Sequence, residues 1–146
     1  MAKKIGFVVG NANLSDKEDG FIIVNSDEKE LLGLNANKII AVNSKREFCL
    51  KRFIIAHELG HYLLREDNQK IFAHRENKIG KNEEENEFDY FAACLLMPKE
   101  KFEEKTSILM NKGIKDDELI YELSNSFQVP SESVRRRFDE LELTFN

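Results

Sequence analysis

His57, Glu58 and His61 stand in the run His-Glu-Leu-Gly-His, inside a stretch that is otherwise apolar: Phe53-Ile54-Ile55-Ala56 precedes it and Leu63-Leu64 follows. On a helix, residues four apart share a face. His57 and His61 therefore offer two imidazoles to one point, at the spacing of two ligands on a single metal ion. Glu58 lies one position round, placed to reach a water on that ion without ligating it. On zinc such a water loses its proton near pH 7, and a neighbouring carboxylate can accept the proton as the water attacks a carbonyl. The chain has only three histidines, and two of them fall in this motif. An ordinary buried helix would have to satisfy two imidazoles and a carboxylate one by one, because unpaired buried polar groups are costly. A metal site with its water satisfies all three together.

Two histidines do not complete a catalytic zinc site, which takes three protein ligands and water. The extended motif HExxHxxGxxH is excluded, since Leu64 and Asp67 stand where it needs glycine and histidine. Downstream candidates are Asp67, His74 and the acids Glu83, Glu84, Glu85, Glu87 and Asp89. Glu83 to Glu85 fit a solvated cluster in a helical first turn, where acids suit the helix dipole. Glu87 heads an apolar run from Phe88 to Leu96, and Ala92 and Ala93 in that run would let two helices approach closely enough to share an ion. Glu87 is the favoured third ligand. His74 falls in an expected loop, as the next ligand in line, a transition-state donor or plain surface.

These residues must be positioned by elements that periodicity makes legible. Ile5 to Val9, Phe21 to Val24 and Lys38 to Val42 are short, β-branched runs separated by polar turns, Asp19-Gly20 among them. They predict a small, mostly antiparallel three-stranded sheet over residues 1–43. From Ser44 the period becomes helical. Ser44 and Glu47 make a capping box, so the first helix is predicted from there to about Arg65. A polar connection follows from Glu66 to Asn82. A second helix runs from near Asn82 to just before Pro98, a third from Pro98 to Gly113, a fourth over Asp116 to Phe127, and a fifth from Pro130-Ser131 to about Leu141. The predicted fold class is α+β, a sheet followed by about five helices in a single domain. Residues 1–43 form its sheet region, 44–98 carry the motif and the acid-bearing helix, and 99–146 are C-terminal helices.

Composition narrows the function classes. Hydrophobic residues at 41% and charged residues at 34% describe a globular chain and exclude a disordered one. No apolar run approaches the ~20 residues of a membrane span. The apolar segment Ile5 to Val9 falls short of the roughly 7–15 residues of a signal-peptide core. A cytoplasmic protein is expected, with Cys49 and Cys94 as reduced, packed thiols. The net charge of −5 argues against a broad basic nucleic-acid surface. Leu119 to Phe127, Gln128-Val129-Pro130 and Ser131 to Leu141 nevertheless resemble a helix-turn-helix, with Arg135-Arg136-Arg137 where a recognition helix would lie. A DNA-binding regulator is thus one alternative, against a plain helical hairpin with a solvated arginine cluster. A non-catalytic metal-binding interaction protein is another, but it would have no use for Glu58.

The HELGH segment, with Arg52-Phe53 ahead of it, and the block Glu87-Phe88-Asp89-Tyr90-Phe91-Ala92-Ala93-Cys94-Leu95-Leu96-Met97-Pro98 together resemble the ImmA/IrrE family of zinc metallopeptidases. That family pairs an HELGH helix with an E-A-[N/D]-x-F-A-A-x-L-L-M-P segment. The resemblance implies a zincin-like active-site helix, with Zn2+ on His57 and His61 and Glu58 as general base. It makes the glutamate opening the second block, Glu87, the third ligand, and Asp89 a residue that orients a histidine. It also implies a helix-turn-helix repressor as protein substrate, while the composition speaks against a membrane partner and, less strongly, against a nucleic-acid one. Phe88 departs from the family, which usually has alanine there, and must fit a tight helix contact. Tyr90, His74, Arg75 and Tyr121 are candidate oxyanion donors, while Tyr62 should point away from the metal. If the strand Lys38 to Val42 is an edge, an extended peptide could pair with it.

Overall fold

The computed structural model describes residues 1–24, 37–64, 71–76 and 83–143, with the backbone alone at 71–76 and at Glu84. The chain forms two compact units, Met1–Ala92 and Ala93–Asn146.

In the first unit a short 3-10 turn, Ala2–Ile5, leads into strands β1 (Val8–Ala12), β2 (Glu18–Val24) and β3 (Lys38–Asn43). Helix α1 (Phe48–Leu64), strand β4 (Ile71–Glu76) and helix α2 (Glu83–Leu96) follow. The expected sheet is present and gains a fourth strand, in the order β1-β3-β2-β4. The β1–β3 pair is parallel, while β2 runs antiparallel to both β3 and β4. Strand β4 lies inside the segment expected to be a polar connection. Its pairing with β2 is a non-local gain that a polar local sequence does not announce.

Strands β2 and β3 are buried on both faces, and side chains alternate between the faces with the strand period of two. Ile22, Val24 and Ile40 pack with Phe7 and Leu59 of α1, while Phe21, Ile23, Ile39 and Ala41 form a second cluster. Gly20 lies where α1 crosses β2. A Cβ there would sit 2.6 Å from the Ala41 carbonyl oxygen and 2.8 Å from Ile54 Cγ2, so only glycine permits this approach.

Helix α1 begins at Phe48, later than the Ser44 start predicted from the capping box. The Ser44 amide donates instead to the Ala12 carbonyl, extending the β1–β3 ladder. Asn43, fully buried, accepts from the Lys45 amide and donates to the carbonyls of Ser15 and Glu18. Arg46 donates to Asp19 at 2.8 Å and to the Asp16 carbonyl at 2.6 Å. The Ser44 amide, which a capping box would pair with Glu47, is thus already taken. Glu47 then accepts from the Lys51 amide and opens α1.

The second unit holds α3 (Lys99–Asn111), α4 (Asp116–Phe127) and α5 (Ser131–Glu140) around Phe102, Leu119, Leu123, Val129, Val134 and Phe138. Gly113 at φ 85 ends the first of these helices and Gln128 at φ 54 ends the second. The five expected helices are all present. No helix among the described residues is long and apolar enough to cross a membrane.

Candidate metal centre

Helix α1 is apolar around most of its circumference, and eight of its residues, Phe53 to Ile54 and Ala56 to His61, are buried. A helix of this kind belongs in an interior. His57, Glu58 and His61 are therefore held in a place where polar groups need partners. His57 and His61 point the same way, their ring centroids 5.1 Å apart.

Helix α2 faces them. Asp89, 2% exposed, places Oδ1 2.7 Å from His57 Nδ1. A carboxylate only accepts, so Nδ1 donates and the other ring nitrogen is turned toward the opposite side. There Glu85 approaches, with Oε2 at 2.9 Å from His57 Nε2 and Oε1 at 3.4 Å from His61 Nε2. Burial would push the Glu85 carboxyl up, but hydrogen bonds and attraction from His57 and His61 prevail and hold it well below the usual carboxylate range.

The acid that the structure brings to the two imidazoles is Glu85, whereas Glu87, expected in that place, is exposed. Helix geometry gives the reason. Asp89 and Glu85 are four residues apart, about 40° round the helix, whereas Glu87 lies about 200° from Glu85. Once Asp89 and Phe88 face α1, Glu85 must face it too and Glu87 cannot. The signal was available in the spacing of Glu85 to Phe88 and Asp89, three and four residues on.

The ligand atoms of His57, His61 and Glu85 all lie within 4.8 Å of one another. Zinc bonds of about 2.0–2.2 Å at tetrahedral angles put donor atoms roughly 3.3 Å apart. Two imidazole nitrogens and the Glu85 carboxylate, whose Oε2 stands 2.9 Å from His57 Nε2 and whose Oε1 stands 3.4 Å from His61 Nε2, fit that requirement. An ion seated among them would bond to all three in place of the present His–Glu contacts.

The chain belongs to the peptidase M78 family. The family profile, described as the IrrE N-terminal-like domain, matches residues 4–139 and so runs across both units. No curated protein matches the chain. Membership makes it a peptidase of a metal-dependent class, and the His-His-Glu group is where such a metal could sit.

Other expected site residues take varied places. Glu58 is fully buried. Tyr90 is 52% exposed and lies about 140° round α2 from Glu85, away from the imidazoles. His74 and Arg75 are in β4, not a loop, and their side chains lie outside the described residues, as does Asp67. Glu83 is exposed. Tyr121 is exposed on α4 in the second unit. Tyr62 points away from the metal group as expected: its hydroxyl accepts from Lys38 Nζ at 3.1 Å and its ring packs on Phe7. The C-terminal arginines are engaged within their own unit. Arg137 is 2% exposed and donates to the Met97 carbonyl and to Glu140, while Arg135 meets Asp117 and Arg136 meets Glu140. A buried, structurally used Arg137 removes one of the three cations from a DNA-facing surface.

Proposed function

We propose that this protein is a zinc-dependent endopeptidase that hydrolyses a peptide bond in a specific cytoplasmic protein, a repressor of the helix-turn-helix type. The observation that carries the reading is the convergence of His57, His61 and Glu85 on one point in a chain of a peptidase family. The repressor class rests on the resemblance of the HELGH helix and the Glu87–Pro98 block. These three residues would hold the ion, which when bound supplies a Lewis acid that activates water and polarises the scissile carbonyl. Glu58 takes the proton from the attacking water and delivers it to the departing amine. Asp89 holds the His57 ring so that Nε2 faces Glu85, where an ion would be held.

Strand β3 lies between β1 and β2, so it offers no free edge for a peptide. Among the described residues β4 is the edge nearest α1 in sequence, and it takes over that role. An extended segment pairing with β4 would be bound through its main chain with little demand on side chains. Restriction to one substrate protects a cytoplasmic protease from digesting its surroundings.

The test is Glu58→Gln, with zinc content and cleavage of purified helix-turn-helix repressors measured together. The variant is expected to retain zinc and lose cleavage. Retained cleavage would remove Glu58 as the base, and a wild-type protein that takes up no zinc would remove the centre.

A further inference from the structure

We propose that Phe88 is a positioning residue for the metal centre, its ring fixing the plane of the His61 imidazole while Asp89 fixes that of His57. This rests on the ligand set proposed above. The Phe88 and His61 ring centroids are 3.9 Å apart with an interplanar angle of 41°, whereas Phe88 meets His57 edge-on at 5.8 Å and 87°. Aromatic pairs ordinarily stand about 4.5–7 Å apart, so the contact with His61 is a close one. Both side chains are shut away from solvent, Phe88 at 2% exposure and His61 at 1%.

The terminal torsion of a histidine is soft, with a broad range of ring angles. A ring packed on one face of the imidazole narrows that range. His61 then presents its Nε2 to the ion with less freedom left to lose, which is what preorganisation contributes to affinity. Asp89 acts on His57 through a hydrogen bond, and Phe88 acts on His61 through shape. Glu85, Phe88 and Asp89 come from successive turns of the same helix, so one docking event sets all three.

Gly60 makes room for this arrangement. A Cβ on Gly60 would lie 3.2 Å from Phe91 Cδ1 and 3.4 Å from both Cα and Cβ of Phe88. The glycine of HELGH thus lets α2 come close, and the larger side chain reaches past it to the second histidine.

The experiment is a zinc titration against a chromophoric chelator for wild type and Phe88→Leu, with circular dichroism to confirm the fold. Phe88→Leu keeps an apolar side chain but not a flat ring. It is expected to lose roughly tenfold or more in zinc affinity, within the range seen when an outer partner of a ligand is removed. The visible spectrum of the cobalt-substituted variant should change as well, since it reports ligand geometry. Wild-type affinity together with an unaltered cobalt spectrum would overturn the proposal. If the variant does not fold, proton NMR of the unsubstituted protein decides. The tilted, close contact with Phe88 should shift the His61 ring protons upfield and leave those of His57 far less affected, and ordinary positions for both would overturn the proposal. Failure of the wild type to bind zinc would sink the ligand set instead, and the ring-current measurement would still stand.

Discussion

Asp89 holds His57 Nδ1 at 2.7 Å in a buried position, so replacing its carboxylate should act on the metal and not on the reaction alone. Asp89→Asn is expected to weaken zinc binding about 10–100-fold, measured by chelator competition. Glu85→Ala should cost more than that, because it removes a ligand, while Glu87→Ala should leave affinity unchanged. Equal losses in the two glutamate variants would refute the facing of α2 described above. The depressed Glu85 carboxyl has a consequence for pH. Its folded value lies below its unfolded one, so its contribution to the metal-free fold is present above the ordinary carboxylate range, and it is lost as pH falls through the depressed value. Zinc binding near neutrality should therefore release no proton from Glu85. Calorimetric titration in buffers of different ionisation heats checks this. At this scale the sequence revealed His57, Glu58 and His61, because their spacing is local to one helix. It concealed Glu85 within an acidic run, because the facing of α2 is decided by contact with α1. Asp89 was legible through its place in the block, whereas the packing of Phe88 on two imidazoles was not.

Gly20 is the point where β2 and α1 touch, and the atom nearest a Cβ there is the Ala41 backbone oxygen, which cannot step aside. Gly20→Ala is expected to destabilise the first unit by about 1–3 kcal/mol, the usual cost of overpacking, measured by denaturant unfolding. Among elements, those with chain-local punctuation were the most legible. Pro98 is the N-cap of α3, Asp116 and Phe127 bound α4, and Pro130 is the N-cap of α5, all close to the positions the sequence indicated. The start of α1 was not, since Asn43 and Arg46 tie that segment to residues 15–19, far from it in sequence. Neither was β4, whose residues form a strand by pairing with β2. The interior place of β3 follows from the same pairing pattern.

Across the whole molecule, the family match spans the sheet unit and the helical unit alike. The helical unit has its own buried polar tie, Arg137, which donates to the Met97 carbonyl at 3.0 Å. Arg137→Met is expected to destabilise that unit by about 1–3 kcal/mol, because a buried carbonyl loses its donor. A calorimetric scan of the full chain reads this out. With a net charge of −5 and with Asp117 and Glu140 beside its arginines, the protein should show no steeply salt-dependent affinity for duplex DNA. One arrangement in the sheet unit reaches further than any single variant. One stripe of α2 supplies an acid, an aromatic wall and an imidazole anchor, so a change of helical register moves them relative to one another at a stroke. Inserting a single amino acid between Glu85 and Asp89 would swing the acid about 100° away from the anchor. Such a chain could keep its sheet and its HELGH motif intact and yet be as inert as one stripped of a histidine.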